Sequence, residues 1–138
     1  MGIVADPNAT NDVPDQAAEW RHGSFTARSV QHKAGFLKRR TVPGVDITVG
    51  DQIRIGFLNR ELSDFFDGRT DNLEGSCNGA LFYLYRVSDA LPPAGEKPLE
   101  GVPVGSITVL AASGHVLAPL VVLPPYEAGE FGRWFAAL

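Results

Sequence analysis

Residues 45–57 of this 138-residue chain read Val-Asp-Ile-Thr-Val-Gly-Asp-Gln-Ile-Arg-Ile-Gly-Phe. Apolar side chains occupy every second position over 45–49 and again over 53–57, which is the period of a half-buried β-strand. Gly50-Asp51 separates the two runs without changing their parity, so a tight hairpin and one bulged strand both fit. A turn at Val42-Pro43-Gly44 is expected to lead into them. The segment therefore predicts a fold built on antiparallel strands.

Four further segments carry strand signals. Residues 80–87, Ala-Leu-Phe-Tyr-Leu-Tyr-Arg-Val, are apolar on both faces, which is typical of a central strand covered on both sides. Residues 24–30 show a weaker alternation. The runs 104–110 and 116–123 flank a Gly-containing turn and predict a hairpin, with Pro119 on the outer edge of its strand.

Two short helices are expected between and after these strands. Asn59 is placed to cap a turn or two over 60–66, and Asp67-Gly68 should end it. In the tail, residues 127–138 place four large apolar side chains on one helical face at i, i+3, i+4 and i+7. The members of that stripe are Phe131, Trp134, Phe135 and Leu138. Polar or Pro-rich loops are predicted over 69–79 and 91–103.

Length and composition fit one turn-rich β domain. Fifteen Gly and ten Pro fall between short apolar runs instead of forming a low-complexity tract. We predict a mainly β fold, a small antiparallel β-sandwich or barrel of six to eight strands with one or two short helices. Residues 1–20 form an extended polar arm that ends in a helical turn, and 21–126 form the β domain. Residues 127–138 form an amphipathic tail that packs on the domain or on a neighbour.

The chain shows no targeting or membrane-spanning pattern. Its first residues have neither a basic stretch nor an apolar stretch of the kind found in signal peptides. The longest apolar run, 116–123, is far shorter than the roughly 20 residues of a membrane span. The single cysteine, Cys77, excludes an internal disulfide. We expect a soluble protein without a signal peptide and without a membrane partner, cytoplasmic or assembled into a particle in the cytoplasm.

Charge is sorted along the chain. Half of the twelve Lys and Arg residues lie between Glu19 and Asp46, where there is no carboxylate, whereas residues 1–19 hold four acids and no base. Such sorting allows binding to an acidic partner or to a copy of the same chain. We name these six cations the basic strip and predict that they bind a partner: Arg21, Arg28, Lys33, Lys38, Arg39 and Arg40.

The basic strip admits three interpretations. It can dock on an acidic protein surface, it can contact nucleic acid with Phe25 and Phe36 available for stacking, or its charges can simply be solvated. The net charge of −4 and the pI near 5.3 disfavour nucleic acid, because the rest of the protein would repel phosphate. The tail aromatics Phe131, Trp134 and Phe135 can close the protein's own core or anchor in a neighbour, and we include them among the predicted partner-binding residues.

No catalytic or metal motif withstands its context. Gly75-Ser76-Cys77-Asn78-Gly79 has the spacing of a nucleophile elbow, but such an elbow needs a strand before it and a helix after it. His22, His32 and His115 have no partners at metal-ligand spacing. Four acids over 64–74 could chelate Ca²⁺, but their spacing is not that of an EF-hand, so solvated carboxylates are the default. We predict no enzyme activity, no cofactor and no metal site.

These observations favour a non-enzymatic structural protein. We expect an accessory subunit of a virus (phage) particle or similar multi-subunit shell, of the capsid-decoration kind, that joins protein neighbours as a homo-oligomer or as part of a larger assembly. The alternative is a small β-barrel that binds or transforms an apolar small molecule, with Tyr83, Tyr85 or Arg86 as polar contacts. Self-association distinguishes the two, because a pocket protein should instead be stabilised by a ligand.

Overall fold

A computed structural model describes residues 18–34, 37, 40–87 and 105–138. The described chain is mainly β, as predicted, with eight strands and two helices. The strands are β1 Glu19–His22, β2 Phe25–Ala34, β3 Arg40–Val49, β4 Ile53–Leu58, β5 Asn72–Cys77, β6 Ala80–Arg86, β7 Ile107–Ser113 and β8 Val116–Leu123. The helices are α1 Asn59–Phe66 and α2 Pro125–Ala136.

The strands form two antiparallel four-stranded sheets in simple sequence order. Sheet one is β1-β2-β3-β4 and sheet two is β5-β6-β7-β8. Helix α1 carries the chain from one sheet to the other, and α2 contacts both β1 and β8. Within the described ranges β4 and β5 approach each other without sharing a hydrogen-bond ladder, so the sheets do not close. The predicted sandwich is confirmed, and the barrel alternative is wrong.

Turn chemistry explains the two clearest hairpins. Between β5 and β6, Asn78 and Gly79 both have positive φ, 52° and 83°, which a two-residue type I′ turn requires. Gly50, with φ of 63°, begins the turn between β3 and β4, so residues 45–57 form a hairpin. The turn predicted at 42–44 is wrong because β3 runs through it. Pro43 is tolerated in β3 because β4 pairs with β3 only as far as Gly44. The side of Pro43 that faces β4, where proline has no N–H to donate, therefore needs no strand partner.

Two other expectations differ from the structure. The loop predicted over 69–79 contains β5, whose inward positions are Leu73, Gly75 and Cys77. Gly75 suits a tight approach, since a Cβ there would collide with the side chain of Ile55 on β4. Strand β6 is interior to its sheet, but its outward positions are less buried than its inward ones: Leu81 at its start is 41% exposed, and Tyr83 and Tyr85 are half-buried.

Helix α1 begins differently from the prediction. Leu58 is its N-cap residue and Asn59 is its first helical residue, so Asn59 does not cap it. Glu61 takes that role, because its Oε1 accepts a hydrogen bond from the Leu58 backbone N–H at 2.8 Å. Asp67 ends the helix, and Gly68 follows with φ of 83°, as expected.

The core fills the space between the inner faces of the sheets and the two helices. Its largest fully buried side chains include Phe25, Ile47, Ile55, Phe57 and Leu84. The chain's own interior is therefore occupied by aromatic and aliphatic groups. A closed barrel around a ligand, the basis of the small-molecule alternative, is not what these sheets form.

Helix α2 packs its aromatic stripe on the domain itself. Phe131 is fully buried, with ring centroids of Trp20, Phe25, Phe66 and Trp134 between 5.2 and 6.0 Å from its own. The rings of Trp20 and Trp134 stack on it, and those of Phe25 and Phe66 meet it edge to face. The tail thus closes the side of the sandwich between β1 and β8.

The arm and the Pro-rich connection fall largely outside the described residues. The helical turn predicted at the end of the arm lies there except for residues 18–20, and so does the loop predicted over 91–103. Strand β1 begins at Glu19, inside the range predicted for the arm, and pairs with β2.

Candidate functional site

The outer face of sheet one forms an open groove with a volume of about 590 Å³. Strand alternation explains it, because the neighbours of its strand residues, such as Ala27, Ile47 and Ile55, point into the core. Turn residues such as Gly23, Ser24 and Gly50 complete its rim. We name its polar lining the charged groove: Glu19, Arg21, Thr26, Arg28, Asp46, Thr48, Asp51 and Arg54.

Strand register arranges the charged groove in two rows. In the first row Arg28 of β2 lies opposite Glu19 of β1 on one side and Asp46 of β3 on the other. Opposite charges directly across an antiparallel pair attract, so this row is internally matched.

In the second row the order across the sheet is Arg21, Thr26, Thr48 and Arg54. Two arginines therefore flank two hydroxyl groups, with no carboxylate in register between them.

The arginines of the second row are available to a partner. Arg21 lies 3.8 Å from Glu19 Oε2, a long contact between side chains that are 66% and 43% exposed. Within the described residues Arg54 forms no ion pair. Guanidinium groups bind carboxylates through two parallel hydrogen bonds, and threonine hydroxyls can donate or accept beside them. This row is suited to binding the acidic groups of another molecule.

His32 lies next to the groove in an unusual position. Its ring lies across the backbone of two strands, in space that a Cβ on Gly44 or Gly56 would occupy. The Nε2 atom is 3.4 Å from Asp46 Oδ1 and is buried without a hydrogen bond to any residue that the structure describes. The ring therefore acts as a spacer that covers two glycines of the outer face and contacts the first row of charges.

Sheet two presents a different outer face. Its edge strand β8 begins with five exposed residues, all of them apolar. Register places Leu117 of β8 on the outer face, and Leu81 of β6 lies on that same face. Exposed fractions are 63% for Val116, 48% for Leu117, 40% for Leu120 and 41% for Leu81. We name these four residues the apolar edge, which contains no charged group.

The backbone of β8 limits how a partner can dock. Pro119 lacks an N–H, and Leu120 is the extra residue of a bulge between the pairs Val109–Val121 and Leu110–Pro119. Both features interrupt the pattern that another strand would need to extend the sheet. A partner would therefore contact the side chains of the apolar edge more readily than its backbone.

The predicted partner-binding residues that the structure describes do not form one surface. Arg21 and Arg28 line the charged groove, while Lys33 is exposed further along β2. Arg40 lines a smaller hollow of about 280 Å³ with residues of β4 and α1. Lys38 and Arg39 lie outside the described residues.

The tail aromatics divide in a similar way. Phe131 is fully buried in the core of its own chain, whereas Trp134 and Phe135 are half-buried against it.

The catalytic candidates are scattered. Cys77 ends β5 and leads through a turn into another strand, so it lacks the helix that a nucleophile elbow needs. Asp64 lies 3.4 Å from Arg69, and Asp71 lies 2.8 Å from Arg86. Over the described ranges no three His, Cys, Asp or Glu residues come together as metal ligands.

The three residues suggested as polar contacts for an internal ligand do not share one face of β6. Tyr83 and Tyr85 alternate with the core residues Phe82 and Leu84 and are half-buried. The Arg86 guanidinium lies 5.4 Å from the centre of the Phe65 ring.

Neither helix in the described part of the chain has the length and apolar character needed to cross a membrane. Comparison of the chain with protein-family models, with curated proteins and with solved structures gives no match in any of the three.

Sequence reasoning missed Asp46, Thr48, Arg54 and the apolar edge as surface features. The alternation over 45–57 did contain a signal, because its even-numbered residues had to face outward. Their assembly into rows depended on strand register, which the sequence did not provide.

Proposed function

We propose that this protein is a non-enzymatic structural subunit that docks on protein neighbours in a larger assembly. An accessory subunit of a virus (phage) particle or similar shell fits this description. The apolar edge carries the proposal: Leu81, Val116, Leu117 and Leu120 of sheet two are each at least 40% exposed. Exposed apolar patches are a common mark of a protein interface, and three of these four residues belong to the exposed run 116–120 of β8.

The charged groove supports the same function from the opposite side. It lies on the outer face of sheet one, whereas the apolar edge belongs to sheet two. A subunit with two dissimilar surfaces on different sheets can contact two neighbours at once, which a shell requires. Charge at one contact favours the correct register, and apolar burial at the other supplies affinity.

The remaining predicted contacts belong to the same proposal. The basic strip would face acidic neighbours, and the arm and the exposed parts of the tail would reach adjoining subunits. In this proposal the protein is soluble before assembly and joins its particle in the cytoplasm. Nucleic acid is not its partner, because the groove mixes three arginines with three carboxylates.

The test measures solution mass by light scattering after size exclusion, over a hundredfold range of protein concentration. The full chain should be an oligomer, and Leu117→Lys should shift it toward monomer because it places a charge in the apolar edge. Tyr126→Lys is the matched control, since Tyr126 is 69% exposed on α2. A full chain that stays monomeric throughout, or equal dissociation of both variants, would contradict docking through this edge.

A further inference from the structure

We propose that the charged groove of one subunit binds the acidic N-terminal arm, residues 1–17, of a second copy of this chain. The inference rests on the proposed function and names the occupant of one of its two surfaces. If two copies are related by a two-fold axis, each would place its arm in the groove of the other.

Charge complementarity is the first argument. The arm contains Asp6, Asp12 and Asp15 and no Lys or Arg. The second row of the groove offers Arg21 and Arg54 with two threonines between them. Arginine binds carboxylate with good geometry, so aspartates of the arm are suitable ligands for this row.

The pattern of charge favours a peptide over a uniform polyanion. Glu19, Asp46 and Asp51 also line the groove, and they would repel an evenly charged phosphate backbone. A peptide with separated acids can meet the arginines and present uncharged residues to the carboxylates. The three acids of the arm are separated by six and by three positions, with only Pro, Asn, Ala, Thr and Val between them.

The spacings are also compatible. The Cα atoms of Arg21 and Arg54 are three strand spacings apart, or about 14 Å. Asp12 and Asp15 would be about 10 Å apart in an extended chain. Arginine side chains that lean over the intervening threonines can cover the remaining distance.

The arm also has the length to reach a neighbour. It joins the described chain next to Glu19, on the edge strand β1 and at the wall of the groove. Seventeen extended residues span up to about 60 Å, several times the width of the sheet. An arm that leaves one subunit at this edge can therefore cross to the same groove on an adjacent copy.

Charge reversal in full-length chains tests the proposal. One variant carries Asp12→Lys and Asp15→Lys in the arm, and a second carries Arg21→Glu and Arg54→Glu in the groove. A third carries all four changes. Each of the first two should weaken association about tenfold at low salt, because like charges then meet.

The decisive measurement is the mass of an equimolar mixture of the first two variants. If arms are exchanged between copies, the charge-reversed arm of the first variant meets the charge-reversed groove of the second. The native arm of the second variant then meets the native groove of the first. The mixture should therefore recover native association, and so should the four-fold variant. The control variant Arg69→Glu alters an arginine whose side chain is 74% exposed and which lies in none of the proposed contacts, so it should leave association unchanged. Circular dichroism verifies that every variant is folded.

Three outcomes overturn the inference. Recovery in the four-fold variant but not in the mixture would show that the arm binds its own groove. Unchanged association in the arm or groove variants would show that the two do not meet, and Leu117→Lys would then report separately on the proposed function. If the arm variant and the groove variant weaken association, and neither their mixture nor the four-fold variant restores it, the arginines bind some other acidic surface.

Discussion

Replacement of Phe131 by Ala tests whether the tail is part of the subunit's own core. The side chain is fully buried and contacts four aromatic rings from β1, β2, α1 and α2. A buried Phe→Ala change typically costs about 3 to 5 kcal/mol of unfolding free energy, from lost transfer energy and the cavity. For a domain of this size, each kcal/mol lowers Tm by roughly 3 to 6 °C, so we expect a decrease of about 9 to 30 °C.

The assay is equilibrium urea unfolding followed by tryptophan fluorescence. Both tryptophans, Trp20 and Trp134, stack on Phe131, so the signal reports directly on this cluster. Tyr126→Ala on the same helix is the control, and its effect should stay within about 0.5 kcal/mol because the side chain is exposed.

Two results would refute the reasoning. A loss below about 1.5 kcal/mol would mean that Phe131 is not enclosed by its own chain. A loss that depends strongly on protein concentration would mean that the tail completes its core with a neighbour, since stability is then coupled to association.

Glycine substitutions give two further predictions, both measured by urea unfolding. Gly56→Ala should lower the free energy of unfolding by about 1 to 2 kcal/mol, because the new Cβ would collide with side chains, above all that of His32. Adding His32→Ala to the same chain should recover most of that loss. Gly44→Ala should not be recovered in this way, because the carbonyl oxygen of Phe57 also blocks its Cβ at 2.6 Å. Gly75→Ala should cost about 2 kcal/mol or more by forcing β5 away from β4, and unchanged stability would contradict the close approach of the sheets.

Local patterns predicted much of the fold because the deciding forces were local. Alternation over 45–57 predicted both strand runs around Gly50, although only the structure decides between a hairpin and one bulged strand, in favour of the hairpin. The Asn78-Gly79 turn is under the same local control, because few other residue pairs adopt two positive φ angles. The helical spacing of the tail aromatics likewise predicted α2.

The wrong predictions concern segments whose structure depends on contacts with distant parts of the chain. Strand β5 contains Gly75 and only one large apolar residue, Leu73, so its own sequence is typical of a loop. It is a strand because β6 pairs along its whole length. The basic strip looked continuous in sequence, but strand direction places Arg28 in the groove and Arg40 in a separate hollow. The register between paired strands determines which side chains meet in the charged groove, and it cannot be read from any one segment.

The apolar edge and the charged groove are more effective together than either is alone. Burying an exposed Leu or Val side chain completely contributes about 1.5 to 3 kcal/mol, so four residues that are about half exposed would contribute about 3 to 6 kcal/mol per subunit. Two subunits joined through this edge would gain about twice that, against an association cost of about 4 to 15 kcal/mol. The apolar edge alone therefore supports only weak association. A second contact through the charged groove would convert weak pairwise binding into a stable assembly by raising the effective concentration of the partners. The loss of either surface should then dissociate the assembly, although each lies on a different sheet.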